Sequence, residues 1–373
     1  MMHIGYNFLS KSADPMKNAI KFLCDNDLAD EHLIFRYNRK RGKKIEALPC
    51  HDQALGTVEF DLRSWIYEEL FLPFAIANNN IDIFYCPGLN IPLRQPCKTA
   101  VAITDLNRLM FPDEKAKGLE TKLSFDLQLA AAKKANRIIT FSQYSKKVIY
   151  KKLGIHKAKI EVVPYPVDKD YAPIYSDVKT KQTASRYGIE RPYFIYSGGF
   201  AKRNNVKELV DIFYGFINLR NDCLLVIEGE IGKSAKDEIK RMDADNRIVF
   251  AGKIPDEDKS LLFNGAIAFI TASLHETACE QELKAMACGI PVIAYNNSAI
   301  SELFGHCAVL VPCHDKNTFV KAMKDAKDHP NMRLQLRALS IQQSKYFSLE
   351  NHAKALLNIF KSIHNESYHP DEK

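Results

Sequence analysis

The feature that most limits what this chain can fold into is an alternation. Short runs that are almost wholly apolar, β-branched or aromatic recur along it, and longer stretches of mixed polar and apolar residues lie between them. Ile81–Tyr85, Ala100–Ile103, Arg137–Phe141 and Ile160–Val163 are such runs, and the N-terminal stretch Met1–Ser10 reads as a first strand. After a break come Tyr193–Tyr196, Leu224–Ile227, Ile248–Phe250, Ala266–Thr271, Val292–Ala294 and Ala308–Val311. A strand covered by helices on both faces has no polar side, so it reads as a continuous apolar run. Strand and helix in turn imply a doubly wound α/β fold.

The pattern occurs twice. Residues 164–192 interrupt it with Pro164, Pro166, Pro173 and Pro192 among polar residues, which is linker composition. At 373 residues the chain exceeds one ordinary core. The reading is therefore two Rossmann-like domains facing across a cleft: an N-terminal domain over 1–170, a hinge at 171–190 and a C-terminal domain over 191–349. A periodic segment within 350–373, His352–Ile363, is expected to cross back onto the first domain, with a frayed tail from Asn365. Ligands of such sheets bind at the carboxyl ends of the strands, so the loops there are the ones to read for chemistry.

Composition removes several classes. No apolar run approaches the roughly 18 residues of a membrane-crossing helix. The N-terminus lacks the basic start and long apolar core of a secretory signal, so a cytoplasmic protein is expected. The nine cysteines are scattered without metal-ligand spacing and read as reduced packing residues. No H-E-x-x-H pattern occurs among the histidines, so no metal site is expected. The net charge of +7 is uneven: from Lys133 to Lys159 basic residues recur with no Asp or Glu. That segment is either a solvated helix face or a surface drawn to anionic lipid or to ligand phosphates. Its basic residues are not interleaved with aromatics in a nucleic-acid reader pattern, and no nucleic-acid partner is expected.

Two loops of the second half carry most of the chemistry. Ser197–Val206, SGGFAKRNNV, follows a strand and precedes an amphipathic helix expected over Lys207–Leu219. Gly198 and Gly199 let backbone amides come close to a ligand, the helix N-terminus adds positive potential, and Arg203 can grip a phosphate through two N–H groups. The plain alternative is a βα turn with a solvated Lys202–Arg203 pair. The loop is neither a P-loop nor a GxGxxG turn.

The second loop is HETACEQELKAMACG, residues 275–289. Thr277 and Glu280 have the form of a capping box that starts a helix near Ala278. Glu280 and Lys284 have the spacing of a helix-surface ion pair, Leu283, Met286 and Ala287 form a buried stripe, and Gly289 with Pro291 ends the helix. Glu276 is left over. A carboxylate just outside the helix start can accept hydrogen bonds from two hydroxyls of a polyol. In the first half, Thr104 and Asp105 follow the run Ala100–Ile103, and Asp105 either caps a turn or lines the cleft opposite Glu276.

Taken together these residues resemble the retaining glycosyltransferases of the GT-B fold, in the large group 4 family. Glu276 and Ala285–Val292 are similar to that family's Glu-Gly-Phe-Gly, four residues, Glu-Ala-Met-Ala-Cys-Gly-x-Pro-Val. Gly198–Asn205 matches its Gly-x-x-x-x-Arg-Lys-Asn loop, and Ser298–Glu302 with Gly305 is similar to its loop near the donor nucleotide. Ile103-Thr-Asp-Leu with Phe111-Pro112, Ile138–Lys146 and Val163–Asp168 extend the likeness into the first half.

The resemblance implies transfer of a sugar from a nucleotide-diphosphate donor to a glycan or lipid-linked acceptor, with retention at the anomeric carbon and no metal or other cofactor. The donor would lie mostly on the second half and the acceptor on the first, in the cytoplasm or on the inner face of a membrane. Glu276 takes the role of holding donor-sugar hydroxyls, and Arg203 that of stabilising the diphosphate. Gly198, Gly199, Asn204, Thr277, Ala278, Cys279, Glu280, Lys284, Thr104 and Asp105 complete the expected substrate site.

The chain departs from the pattern at four places. Asn204 stands for a lysine, Lys284 for the glutamate that holds the nucleotide ribose, Thr104 for a histidine, and Asn7–Pro15 for a glycine-rich loop. Lys284 either supplies the cation missing at 204 or keeps only a surface ion pair. Two functions follow: an active hexosyltransferase-like enzyme, or a catalytically inactive GT-B scaffold partnering an active one.

Overall fold

A computed structural model describes residues 2–7, 14–26, 31–38, 44–49, 62–111, 119–217, 222–243 and 246–366. They fall into two compact units, Met1–Pro166 with Leu349–Lys373, and Val167–Ser348. Most of the loop Asn7–Pro15, Pro112 and the end of the C-terminal tail lie outside the described residues.

Among the described residues the first unit has seven strands, β1 (His3–Asn7), β2 (Glu31–Asn38), β3 (Lys44–Pro49), β4 (Ile83–Cys86), β5 (Lys98–Ala102), β6 (Arg137–Thr140) and β7 (Ile160–Val162). Their order is β3-β2-β1-β4-β5-β6-β7. All neighbours are parallel except β3, an antiparallel edge beside β2. The second unit has six strands, β8 (Tyr193–Ser197), β9 (Leu224–Glu228), β10 (Ile248–Gly252), β11 (Phe269–Thr271), β12 (Val292–Tyr295) and β13 (Val309–Val311). These are parallel throughout in the order β10-β9-β8-β11-β12-β13. Counted from its own first strand, that is the 3-2-1-4-5-6 order of dinucleotide-binding sheets. The apolar runs form these strands because both faces are covered: Phe194, Ile195, Leu225, Ile270 and Ile293 are fully buried.

The expected hinge at 171–190 is corrected. It belongs to the second unit and holds a helix, Asp177–Arg186, whose Ser176 side chain accepts from the Lys179 amide. Asp258, on the helix Asp256–Gly265, anchors it: Arg186 lies 2.7 Å from this carboxylate, and Tyr187 donates to it at 2.8 Å. The chain passes between units at Pro166–Val167 and Ser348–Leu349.

The helix Leu349–Asn365 belongs to the first unit, with Ala353, Leu356, Phe360 and Ile363 buried. The Phe360 ring packs 5.4 Å from that of Tyr85. Near its start His352 Nδ1 donates to the Pro164 carbonyl at 2.7 Å, and burial holds this imidazole down at about 4, hence neutral. Near its end Glu366 pairs with Arg137, which takes that arginine out of the exposed basic segment. Among the cysteines, Cys86, Cys97, Cys223, Cys279, Cys288, Cys307 and Cys313 are free thiols, but Cys24 is disulfide-bonded, contrary to the reading of all nine as reduced.

Candidate functional site

The loops at the carboxyl ends of β8, β11 and β12 interlock. Tyr196, last but one in β8, is buried and donates its hydroxyl to the Gly199 carbonyl at 2.7 Å. The chain then turns too tightly for a side chain. A Cβ on Gly198 (φ 153°) would sit 2.8 Å from the Tyr196 hydroxyl, and one on Gly229 would sit 2.4 Å from the Gly198 carbonyl oxygen. A single 3-10 turn, Lys202–Asn204, leads through Asn205 at φ 53° into the helix Val206–Ile217. Glu208 in its first turn fixes that entry by accepting from the Asn205 side chain, from Tyr295 at 2.8 Å and from His314 Nδ1 at 3.0 Å. Burial works against the Glu208 charge, but these bonds prevail and hold its carboxyl below the ordinary range.

The loop after β11 is tied to this one. The Leu274 amide donates to the Arg203 carbonyl at 2.7 Å. Ser273 Oγ lies 3.4 Å from that carbonyl and donates to Glu276 Oε1 at 2.8 Å. The Glu276 amide in turn donates to Ser298 Oγ at 2.8 Å, and Asn297 Nδ2 donates to the Ser273 carbonyl at 2.8 Å. Ser273 thus links the main chain at Arg203 to the Glu276 carboxylate, and both residues are half-buried. Tyr196 registers both charges: burial and the Glu276 and Glu282 carboxylates push its phenol well above the ordinary value, while Arg203 and a bond from Asn204 oppose them. Gly198, Gly199, Arg203, Asn204 and Glu276 are thus brought together.

The helix that follows differs from expectation. It runs Glu280–Ala287, and its N-cap is Cys279 at φ 53°, whose own side chain makes no cap bond. The expected capping box of Thr277 and Glu280 is not formed, because the left-handed turn at Cys279 delays the helix start. Thr277 and Cys279 are buried and Ala278 half-buried. The turn also swings Glu282 inward, where it is 4% exposed. Burial, then the nearby Glu276 charge, push this carboxyl well above its ordinary value. Sequence reasoning missed Glu282, since an acid in the first turn of a helix ordinarily faces water.

Lys284 does pair with Glu280, at 2.9 Å, but not on the surface: its side chain is 7% exposed. Its ammonium also lies 3.9 Å from Asp256 and 4.8 Å from the Tyr171 ring centroid. A second buried lysine, Lys259, pairs with Glu228 at the end of β9 at 3.2 Å. Ser197 at the end of β8 donates to Glu228 and lies 2.8 Å from the side-chain amide of Gln281.

In the first unit, Thr104 is half-buried and Asp105 exposed. Asp105 Oδ1 accepts from the Asn107 amide at 2.7 Å, an Asx turn into the short helix Asn107–Met110. Among the described residues no group of three or more His, Cys, Asp or Glu is placed to hold a metal.

Residues 179–342 match the family model of glycosyl transferases group 1. The chain is 23% identical over 354 residues to O-antigen chain mannosyltransferase B of Escherichia coli, spanning 91% of this chain and 85% of that one. Its fold is similar to that of a glycosyltransferase from Rickettsia africae, with a TM-score of 0.73, 14% identity and coverage of 98% and 99%. It is also similar to Anabaena HepE, solved in complex with UDP-glucose, with a TM-score of 0.72, 12% identity and coverage of 97% and 100%. The chain thus has the two-unit GT-B fold, and its residues 179–342 are similar to the glycosyl transferases group 1 family.

Proposed function

We propose that this protein transfers a hexosyl residue from a nucleoside-diphosphate sugar to a glycan or lipid-linked acceptor, with retention of anomeric configuration. Mannose is the sugar in the name of the E. coli relative and is the first donor sugar to test. The observation that carries the reading is the link of the Arg203 main chain to the Glu276 carboxylate through Ser273, with both charges acting on the buried Tyr196. Such an arrangement offers a cation to the diphosphate and an oriented carboxylate to the sugar hydroxyls. The Gly199 amide and the N-terminus of the helix Val206–Ile217 add to the anion site, while the Gly198 amide is taken by the Glu228 carbonyl at 3.2 Å.

In the step itself the acceptor oxygen bonds to the anomeric carbon on the face the diphosphate leaves, and the carbon–oxygen bond to the diphosphate breaks. The acceptor's proton passes to the departing phosphate oxygen. Charge builds on the diphosphate as it leaves, so Arg203 stabilises the transition state more than the bound donor. The resemblance implies that no metal is needed for this.

The scaffold reading draws support from Asn204 in place of a cation and from Lys284, whose ammonium is engaged by Glu280 and Asp256. A panel of nucleoside diphosphates and their sugars separates the two. The enzyme reading expects thermal stabilisation by one nucleotide and release of nucleoside diphosphate when acceptor is added. Stabilisation by none of them favours the scaffold.

Lys147, Lys151, Lys152 and Lys157 are exposed in and after the helix Gln143–Leu153, and Leu70 and Phe74 are exposed on the helix Leu62–Asn78. We read these exposed lysines as a contact for the inner, anionic face of a membrane, where a lipid-linked acceptor would be met. Anionic vesicles should then retain the protein at low salt and release it as screening rises. Equal retention by neutral vesicles, or none by anionic ones, removes the membrane from the account.

A further inference from the structure

The proposed donor site accounts for the sugar and the diphosphate but names nothing that holds the nucleoside. In a sheet of the 3-2-1-4-5-6 order, a nucleotide lies across the strand ends. Its phosphates sit at the loop after the first strand and its ribose hydroxyls on a carboxylate further out. The first carboxylate in that direction is Glu228, at the end of β9, but it is 4% exposed and bonded to Lys259 and Ser197. Two further acids follow: Glu230, exposed in the loop after β9, and Asp256, which follows β10 and opens the ten-residue helix Asp256–Gly265. Of these two, only Asp256 has buried cations gathered on it.

Asp256 has an unusual setting. Its side chain is 64% exposed, yet three buried or half-buried groups converge on one of its oxygens. Tyr171 donates to Oδ1 at 2.6 Å, and the Lys259 and Lys284 ammonium groups each lie 3.9 Å from it. Burial opposes its charge, but the Tyr171 hydroxyl and the two lysines prevail and hold the carboxyl below the ordinary range. Oδ2 is bonded to no protein group among the described residues. Lys284 belongs to the helix that follows the Glu276 loop, so Asp256 stands alongside the same helix whose N-terminus adjoins the sugar position.

We infer that Asp256 is the carboxylate that accepts the donor's ribose hydroxyls, with Tyr171, Lys259 and Lys284 as positioning residues that aim its second oxygen outward. The inference rests on the donor reading above and adds to it the residue that recognises the nucleoside.

Calorimetric titration of the full chain with GDP, UDP and their 2′-deoxy counterparts tests it. Wild type should bind the matching ribonucleotide about tenfold or more tighter than its deoxy form, the scale of a hydrogen bond to a charged group. Asp256→Ala should bring that ratio close to one while leaving the deoxy nucleotide's affinity nearly unchanged. Asp256→Asn keeps the shape and an acceptor for Tyr171, so it guards against a folding failure, and it should narrow the ratio. The ratio is read within one protein, so a loss of folded material cancels. A folded Asp256→Ala that keeps the wild-type ratio overturns the inference. So does a loss that distinguishes GDP from UDP but leaves the ribose-to-deoxyribose ratio intact, since it would assign Asp256 to the base. If wild type binds none of the four, nor ADP, CDP or dTDP, the donor reading itself fails and takes this inference with it.

Discussion

Glu276→Gln should lower sugar transfer by about a hundredfold or more while leaving the fold intact. The substitution keeps the shape and an acceptor for Ser273, and the Ser298 bond is to the backbone amide and survives. What it removes is charge. Hydrogen bonds from two donor hydroxyls to a carboxylate contribute about 1.5–3 kcal/mol each, and an amide recovers only part of that. A loss of roughly 3 kcal/mol is about two powers of ten in rate. Stability should hold or rise slightly, because the Glu276 charge is one of the reasons the buried Glu282 carboxyl is pushed up. Initial rates and thermal unfolding on the same preparations give both numbers. Wild-type turnover in the variant would remove Glu276 from the chemistry, whereas loss of folding would mean that the carboxylate is structural.

Glu228→Ala should cost about 3–5 kcal/mol of stability, because it leaves a lysine buried without its partner. The side chains of Lys259 and Glu228 are 11% and 5% exposed, so solvent does not screen the pair. Asp256, at 3.9 Å, is a distant substitute. The double change Glu228→Leu with Lys259→Met should recover most of the loss, since an apolar pair of similar volume avoids the desolvation that both ions suffer. Denaturant unfolding of the variants distinguishes the two cases. A loss under about 1 kcal/mol for Glu228→Ala would make the pair no stronger than a surface salt bridge.

The two pairs differ in how visible they were. Glu276 stood out in the sequence because helix capping, an ion pair, an apolar stripe and a terminator explained its neighbours and left it over. Glu228, Lys259 and Asp256 did not, because burial of charge depends on what surrounds a strand end, and that is set by residues far apart in the chain. Lys284 shows the same limit: its spacing from Glu280 gave the pair, but only packing against Tyr171 and Asp256 makes the pair a buried one.

The parallel strands were legible for a simple reason. Helices on both faces leave a strand such as β9, Leu-Leu-Val-Ile-Glu, almost no polar position. β2 and β3 escaped notice because they lack that composition. β2 has apolar residues mainly at Leu33–Phe35, between polar ends. β3, Lys-Ile-Glu-Ala-Leu-Pro, is an antiparallel edge with no run of its own. The start of the helix at Glu280 was misjudged by two residues. A cysteine in the left-handed region gives no sequence signal of the kind a glycine gives, and that one turn also decides that Glu282 faces inward.

The most direct measurement is a crystal structure of the protein with a bound nucleoside-diphosphate sugar. The diphosphate should lie within hydrogen-bonding distance of the Arg203 guanidinium and the Gly199 amide, with a sugar hydroxyl on Glu276. A nucleotide bound elsewhere, or one seated there while both side chains turn to other partners, would contradict the account.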